Sequence, residues 1–192
     1  MTVDSIHSKI IEDKIFYDVS DGGVTFSGGE PFVQAEFLTK MLIKCKESGI
    51  NTLVETCGYV DSRLIMDAID YIDTFYIDLK IMDNEKHLKY TGVSNYKILS
   101  NIEFLSNRKK DILIRIPIIP GVNDDEVNIN NTGYFLTKIG IAKVQLLPYH
   151  NYGVAKYSSL GREYNFNSKI PTSTEMDQIK SLLSNYGLDV II

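Results

Sequence analysis

Three acidic residues stand at or just after the ends of strand-like segments, and they are the strongest candidates for chemistry in this sequence. Glu30, Glu55 and Asp78 end or follow successive runs of β-branched and apolar residues. In parallel α/β folds, ligands bind at the carboxyl ends of the strands. Because buried like charges repel each other, we predict that these acids bind a positive group: a sulfonium, an ammonium or a monovalent cation. In the alternative interpretation, Glu30 and Glu55 cap helices and Asp78 pairs with Lys80.

Other residue types near predicted strand ends could also contact a ligand. Gly28 and Gly29 would let the backbone turn sharply and approach a ligand closely, although a glycine pair before a helix is also an ordinary tight turn. Arg115, inside the segment LIRIP, requires either a buried carboxylate or a ligand. His150 ends the segment AKVQLLPYH, where its ring can stack on a ligand or simply bond to the backbone.

The elements that would position these residues alternate along the chain. Residues 3–18 have helical apolar spacing, and no strand precedes them. After them, amphipathic helical patterns alternate with predicted strands, which are VTFSGG, NTLVET, TFYIDLK, DILIRIPII, AKVQLLPY and LDVII. Their lack of polar alternation is typical of strands buried on both faces of a parallel sheet. Five or six such strands fit an open partial barrel or a doubly wound sheet, and spacing alone leaves both open.

The composition limits the classes of function. With 192 residues and 44% hydrophobic content, the chain can form one domain with a sizeable core. A net charge of −5 with scattered Lys and Arg argues against a nucleic-acid partner. No apolar run is long enough to span a bilayer and no signal-peptide pattern opens the sequence, so we predict a cytoplasmic protein without a membrane partner. Cys45 and Cys57 are too few for a disulfide framework, a zinc ribbon or a full set of iron–sulfur ligands, and Cys45 fits a core thiol.

Six motifs occur in one order along the chain: GGVTFSGGEP, ETCGY, DLK, TGVSN, RIPIIPGVND and LLPYHNYGVAKYSSLG. Together they resemble the pyruvate formate-lyase activating enzyme and its relatives in the radical S-adenosylmethionine superfamily, over nearly the whole chain. The resemblance implies an α/β fold, a TIM-like partial (β/α) barrel of parallel strands. It also implies an oxidoreductase of anaerobic metabolism, in which a reduced 4Fe-4S cluster cleaves S-adenosylmethionine and the deoxyadenosyl radical takes a hydrogen atom from a glycine of a partner glycyl-radical enzyme.

The same resemblance implies a role for each residue at the strand ends. The residues that would bind S-adenosylmethionine are Gly28, Gly29, Glu30, Glu55, Asp78, Leu79, Lys80, Arg115 and His150. Of these, the glycine pair and Glu30 would hold the amino end of the methionine moiety. Lys80 would lie near the carboxylate of that moiety, and His150 would contact the nucleoside.

A cation and further partners are implied in the same way. Glu55, Thr56 and Asp78 would match the family's site for a monovalent cation. The electron donor would be a protein such as a flavodoxin or a ferredoxin. The segment HNYGVAKYSSLGREY could face the glycyl-radical partner, although its tyrosines could equally pack on the barrel.

The cluster-binding motif of this family, CxxxCxxC, is not in the sequence. In the family it lies on a loop after a first strand, which here would precede Thr2. We therefore expect residues 1–192 to be a single partial-barrel domain, truncated at its N-terminus and lacking the first strand, that binds no cluster and is inactive alone.

Without that first strand, the strand VTFSG would be an unprotected edge of the sheet. We therefore expect the chain to self-associate through this edge. A monodisperse monomer in light scattering would contradict this expectation.

Two alternative functions stay open at this point. Lys80 at a strand end could form a Schiff base, as in a barrel lyase, with Asp78 as its proton partner. Alternatively, the chain could be a non-catalytic module that only binds the glycyl-radical partner. Borohydride trapping of a carbonyl compound on Lys80 would favour the lyase, whereas calorimetric binding of S-adenosylmethionine would favour the activating enzyme.

Overall fold

The computed structural model describes residues 1–164, 166 and 168–192. Within these residues the strands are β1 (Gly23–Phe26), β2 (Asn51–Thr56), β3 (Thr74–Asp78), β4 (Asp111–Ile118), β5 (Lys143–Pro148) and β6 (Asp189–Ile191). The helices are α1 (Val3–Glu12), α2 (Lys14–Ser20), α3 (Ala35–Glu47), α4 (Ser62–Ala68), α5 (Asn84–Thr91), α6 (Tyr96–Asn107), α7 (Glu126–Lys138), α8 (Val154–Ser159) and α9 (Ser173–Ser184). Short 3-10 helices span Pro31–Gln34 and Ile69–Tyr71.

The strands form one parallel sheet of six, in the order β1-β2-β3-β4-β5-β6. A doubly wound sheet reverses its strand order at a switch point, whereas a (β/α) barrel adds each strand beside the previous one. The order here is the sequential one, so the predicted partial (β/α) barrel is confirmed. The doubly wound alternative was wrong because every crossover proceeds in the same direction.

The chain divides into two compact units. The N-terminal unit comprises Met1–Asp78 and Tyr96–Leu113, and the C-terminal unit comprises Leu79–Asn95 and Ile114–Ile192. The prediction of a single domain over residues 1–192 stays a prediction.

Helix α3 supplies the main apolar face of the N-terminal unit. Its buried residues recur at three- and four-residue spacing and are Leu38, Met41, Leu42 and Cys45. The helix contacts β2, in which Val54 is fully buried. Burial raises the pKa of the Cys45 thiol, so the prediction of a core thiol is confirmed.

The predicted helix over residues 3–18 is two helices, α1 and α2. The break lies at Asp13, where φ is −95° and ψ is 3°, and the Asp13 amide donates to the carbonyls of Ile10 and Ile11 in a tightened last turn. Aspartate competes for backbone hydrogen bonds and is a poor residue for a helix interior, which explains the break. Neither helix has a fully buried side chain, so the apolar spacing correctly indicated a helix but not a core helix.

Strand β4 has one buried face and one half-buried face. Its residues alternate between buried and half-buried, with Ile114, Ile116 and Ile118 on the buried side. Helices α7 and α9 of this unit contact each other. The other side of β4 is only half-buried and carries Arg115 and Pro117. The expectation of burial on both faces therefore holds fully for only one face of β4, because the other face is half-buried.

Helix α5 has boundary residues that the sequence itself shows. Asp83 caps α5, since its Oδ1 atom accepts from the Lys86 amide at 2.7 Å, and Gly92 ends the helix in the left-handed region with φ at 80°. An Asp at the start and a Gly at the end are standard helix boundaries. Helix α8 was missed, and it lies inside the segment that was interpreted as a partner-facing loop.

Among the helices that the structure describes, none combines the length and the apolar character that crossing a bilayer requires.

Gly23 provides a test of the β1–β2 pairing. It stands opposite Asn51, and a Cβ added to it would lie 2.0 Å from the Asn51 carbonyl oxygen. Because backbone atoms would have to move apart, we expect Gly23→Ala to lower the free energy of unfolding by about 1–3 kcal/mol. Denaturant unfolding would measure this. The matched control is Gly22→Ala, whose new Cβ would meet chiefly the movable hydroxyl of Ser20; equal losses in both variants would contradict the prediction.

Glu175 at the start of α9 predicts a pH dependence of stability. Hydrogen bonds lower the pKa of Glu175 from 4.5 to about 2. The largest contribution comes from Lys169, and smaller ones come from the Thr172 amide and hydroxyl. A carboxyl group with a depressed folded-state pKa stabilises the fold fully above its unfolded pKa, and this contribution is lost as the pH falls toward the folded value. We expect Glu175→Gln to melt below the wild type near neutral pH, and this difference to shrink as the pH falls from 4.5 toward 2. Asp177→Asn, at an exposed position of the same helix, is the control; a melting difference independent of pH would contradict the assignment.

Candidate functional site

The loop after β1 contains the glycine pair of the N-terminal unit. Gly28 has φ at 124°, a backbone conformation that residues with a Cβ rarely adopt. A Cβ added at Gly28 or Gly29 would meet no heavy atom of the described chain within 4 Å. A lack of space for a side chain is therefore not the reason why glycine occurs at either position. The loop instead offers open space beside its backbone.

The carboxylate of Glu30 is fixed by donors from two segments. Its Oε1 atom accepts from the Phe32 amide at 3.2 Å, which caps the 3-10 helix Pro31–Gln34. The Thr56 hydroxyl lies 2.9 Å from both carboxylate oxygens, and the Cys57 amide donates to Oε2 at 2.9 Å. Glu30 thus caps a helix, as the alternative interpretation held, and at the same time joins the loop after β1 to the end of β2.

The other two acids of the N-terminal unit share one face of the sheet. Glu55 pairs in register with Tyr76, and Asp78 lies two residues after Tyr76, so strand alternation directs Glu55 and Asp78 to the same side. Glu55 accepts a hydrogen bond from the Ser27 hydroxyl at 2.6 Å. Thr56 follows Glu55 directly and points to the opposite side, where it is buried.

In the C-terminal unit, the residues after β3 are anchored through their backbones. The Leu79 side chain is buried, and its amide donates to the Arg115 carbonyl at 2.9 Å. Leu79 could therefore meet a ligand only through its main chain. Lys80 is half-buried, and its carbonyl accepts from Asn123 at 2.8 Å. Arg115 lies within β4 on its half-buried face, as predicted for a strand residue.

His150 is exposed in the segment that follows β5, which ends at Pro148. Its ring stacks on Tyr152, with ring centroids 4.5 Å apart and planes at 26°. The Tyr152 amide donates to Nδ1 at 3.4 Å. The other edge of this exposed ring is accessible to a ligand.

A cavity of about 520 Å³ lies inside the C-terminal unit, and sequence reasoning missed it. Its lining includes Lys80, Ile81, Val122, Tyr149, Tyr157 and Tyr164. The hydroxyls of Tyr149 and Tyr164 are 2.6 Å apart, and this hydrogen bond raises the pKa of Tyr164 to about 12. The tyrosines of HNYGVAKYSSLGREY were noticed in the sequence, but their grouping depends on how the chain folds back after β5.

Buried asparagines hold the loops of both units, and they too were missed. In the C-terminal unit, the amide of Asn123 donates to the carbonyls of Lys80 and Pro117, and its oxygen accepts from the Ile119 amide. Asp125 caps the neighbouring helix α7, since its Oδ1 atom accepts from the Asn128 amide at 2.9 Å. The sequence feature that could have indicated this role of Asn123 is its position directly after the PGV turn.

The sequence matches known proteins over its whole length. The model of the radical SAM superfamily matches residues 1–129. The choline trimethylamine-lyase activating enzyme of Oleidesulfovibrio alaskensis is 37% identical, in an alignment covering 100% of this chain and 63% of that protein. The (2S)-3-sulfopropanediol dehydratase activating enzyme of Klebsiella oxytoca is 43% identical, over 97% of this chain and 60% of that protein. The chain thus spans about three fifths of the length of these two relatives.

Two further similarities concern the pyruvate formate-lyase branch. The pyruvate formate-lyase 1-activating enzyme of Escherichia coli K12 is 34% identical, over 100% of this chain and 79% of that protein. The crystal structure of a domain of pyruvate-formate lyase-activating enzyme from Bacteroides vulgatus superposes with a TM-score of 0.76 and 33% identity, covering 89% of this chain and 98% of that one.

A more distant structure shares the fold alone. Streptococcus suis SuiB bound to S-adenosylmethionine has a TM-score of 0.72 and 16% identity, over 100% of this chain and 43% of that one. The nearer matches decide the family. The chain belongs to the radical SAM superfamily and, within it, to the family of the pyruvate formate-lyase activating enzyme and related activating enzymes of glycyl-radical enzymes.

Proposed function

We propose that the chain is part of an activating enzyme that generates a glycyl radical on a partner enzyme by reductive cleavage of S-adenosylmethionine. The observation that carries this proposal is the Glu30 carboxylate, which is held by three donors beside an open glycine turn. A fixed carboxylate next to accessible backbone suits the ammonium group of an amino acid. S-adenosylmethionine presents such a group.

In the N-terminal unit, the proposed contacts lie at the methionine end of the cofactor. Gly28 and Gly29 would approach it through their main chain, because no side chain fills the space beside them. Glu30 would accept hydrogen bonds from the ammonium group, and charge-assisted bonds of this kind are the stronger ones. Glu55 and Asp78, on one face of the sheet, would add negative potential toward the sulfonium or toward a monovalent cation.

In the C-terminal unit, the proposed contacts follow the chemistry of each side chain. Lys80 would bind the methionine carboxylate, and the exposed ring of His150 would meet the nucleoside. Leu79 would contribute only its main chain, because its side chain is buried. Arg115 stays a proposed cofactor residue on the half-buried face of β4. Bound S-adenosylmethionine supplies the carbon–sulfur bond whose cleavage produces the radical.

The residues of this chain do not fit a 4Fe-4S cluster. The sequence has two cysteines, and Cys45 is fully buried in the apolar face of α3. Across the described ranges there is also no group of three or more His, Cys, Asp or Glu side chains that could hold a metal ion. We therefore propose that the chain binds S-adenosylmethionine and the partner enzyme without holding the cluster, and that it is inactive alone.

Several finer expectations stay predictions. They are a monovalent cation at Glu55, Thr56 and Asp78, a flavodoxin or ferredoxin as electron donor, self-association through the outer edge of β1, and a cytoplasmic location. The Thr56 hydroxyl donates to Glu30, so Thr56 would offer a cation its carbonyl oxygen.

Glu30→Gln tests the proposed cofactor site. The amide keeps the size of the side chain but removes the charge, so we expect the affinity for S-adenosylmethionine to fall about 10- to 100-fold. Isothermal titration calorimetry would measure it. The matched control is Glu36→Gln on α3, an exposed glutamate paired with Lys40, which should leave the affinity unchanged.

Two results would contradict this proposal. One is wild-type protein that does not bind S-adenosylmethionine. The other is borohydride trapping of a carbonyl compound on Lys80, abolished by Lys80→Arg, which would favour the Schiff-base lyase instead.

Binding to the partner enzyme is a separate prediction. An activating enzyme must admit a glycine-bearing loop of its partner, so we expect the chain to bind a purified glycyl-radical enzyme of the type that the related activating enzymes serve. Surface plasmon resonance against choline trimethylamine-lyase, pyruvate formate-lyase and an unrelated enzyme of similar charge would measure this. Equal or absent binding to all three would contradict the prediction.

A further inference from the structure

We propose that Thr56 is a positioning residue for Glu30, and that Gly58 and Asn101 hold Thr56 in its orientation. The inference rests on the proposed function, in which Glu30 binds the methionine ammonium group. All four residues lie in the N-terminal unit.

The Thr56 hydroxyl is placed to fix the plane of the carboxylate. Its oxygen lies 2.9 Å from Oε1 and 2.9 Å from Oε2 of Glu30, so one proton is shared between both oxygens. Thr56 is only 4% exposed, which leaves little room for water to replace this bond. The Phe32 amide bonds Oε1 and the Cys57 amide bonds Oε2, and the Thr56 hydroxyl is a third donor that bonds both oxygens and adds to the restraint on the last side-chain torsion.

The direction of the Thr56 proton is set by Gly58. The Gly58 amide donates to the Thr56 oxygen at 3.0 Å, which occupies an acceptor position and leaves the hydroxyl proton for Glu30. Gly58 has φ at 71°, and an added Cβ would meet the methyl groups of Ile77 and Ile98 at 3.3 Å. The glycine is therefore required both for its backbone conformation and for its small volume.

The loop that carries Gly58 is tied to α6 by Asn101. The side-chain amide of Asn101 donates to the carbonyls of Gly58 and Val60, both at 2.9 Å, and Asn101 is only 3% exposed. A polar side chain among the buried apolar residues of a helix is costly unless it is hydrogen-bonded. Both amide protons are used on this one loop. The chain of contacts thus runs from Asn101 through the loop to Thr56 and on to Glu30.

The consequence concerns the cost of binding. A carboxylate that is already held in place loses little conformational freedom when it accepts an ammonium group, and this preorganisation increases affinity. Without the Thr56 hydroxyl, Glu30 keeps its charge and its two backbone donors, at 3.2 and 2.9 Å, but loses the donor that bonds both oxygens and is held less firmly. The effect should therefore be confined to ligands that carry the amino-acid moiety.

The test compares Thr56→Val with Thr56→Ser in the full chain, using two ligands. S-adenosylhomocysteine has the amino-acid moiety, whereas 5′-methylthioadenosine lacks it. We expect Thr56→Val to weaken S-adenosylhomocysteine about tenfold, with the affinity for 5′-methylthioadenosine unchanged, and Thr56→Ser to restore wild-type affinity. Asn101→Ala should show the same selectivity, and if it does not fold, the Thr56 pair still decides the matter.

The outcomes separate this inference from the proposed function. Wild-type protein that binds neither nucleoside would overturn both. Wild-type protein that binds S-adenosylhomocysteine, together with a Thr56→Val variant that binds it equally well, would overturn only the positioning role. Equal loss of both ligands in Thr56→Val would also overturn it, because a general structural defect would explain that result.

Discussion

The hydrogen bonds around the Glu30 carboxylate are the constraint on which the proposed site depends. A half-buried carboxylate must keep acceptor bonds to replace those it made to water. Here the donors come from its own 3-10 helix and from the end of the neighbouring strand. The same bonds that compensate burial therefore join two consecutive strand ends. The proposed ligand contact and the local fold thus share one set of hydrogen bonds.

The fold supplies these contacts through sequential parallel strands. Because β1 and β2 are neighbours in both sequence and space, the loop after one meets the loop after the other without a long connection. In the C-terminal unit, the side-chain amide of Asn123 donates hydrogen bonds to the Lys80 and Pro117 carbonyls. The side-chain amide of Asn101 donates in the same way to the loop after β2. Each unit thus uses a buried asparagine to fix irregular backbone at a strand end. Such backbone has no ladder partners and needs a side chain to satisfy it.

The sequence predicted the regular parts of the fold well, and β2 shows why. Asn51–Thr56 is a short apolar run with a clear turn on either side, and the structure has it with the predicted bounds. The break at Asp13 and the short helix α8 were missed. Both depend on competition between local interactions of the chain, which the spacing of apolar residues does not show. The acids were found by their place at the end of a strand or shortly after it. The bond between Glu30 and Thr56 was not, because the two residues are far apart in sequence and only the register of β1 against β2 brings them together.

Adjacent residues of β2 serve opposite sides of the sheet. Glu55 faces the side of Asp78, whereas Thr56 faces Glu30. Loss or gain of one residue within this strand would exchange the two sides, since the side-chain period of a strand is two. The carboxylate and the hydroxyl would then each stand where the other is needed. Insertions and deletions in homologous chains should therefore be confined to the turns on either side of this strand.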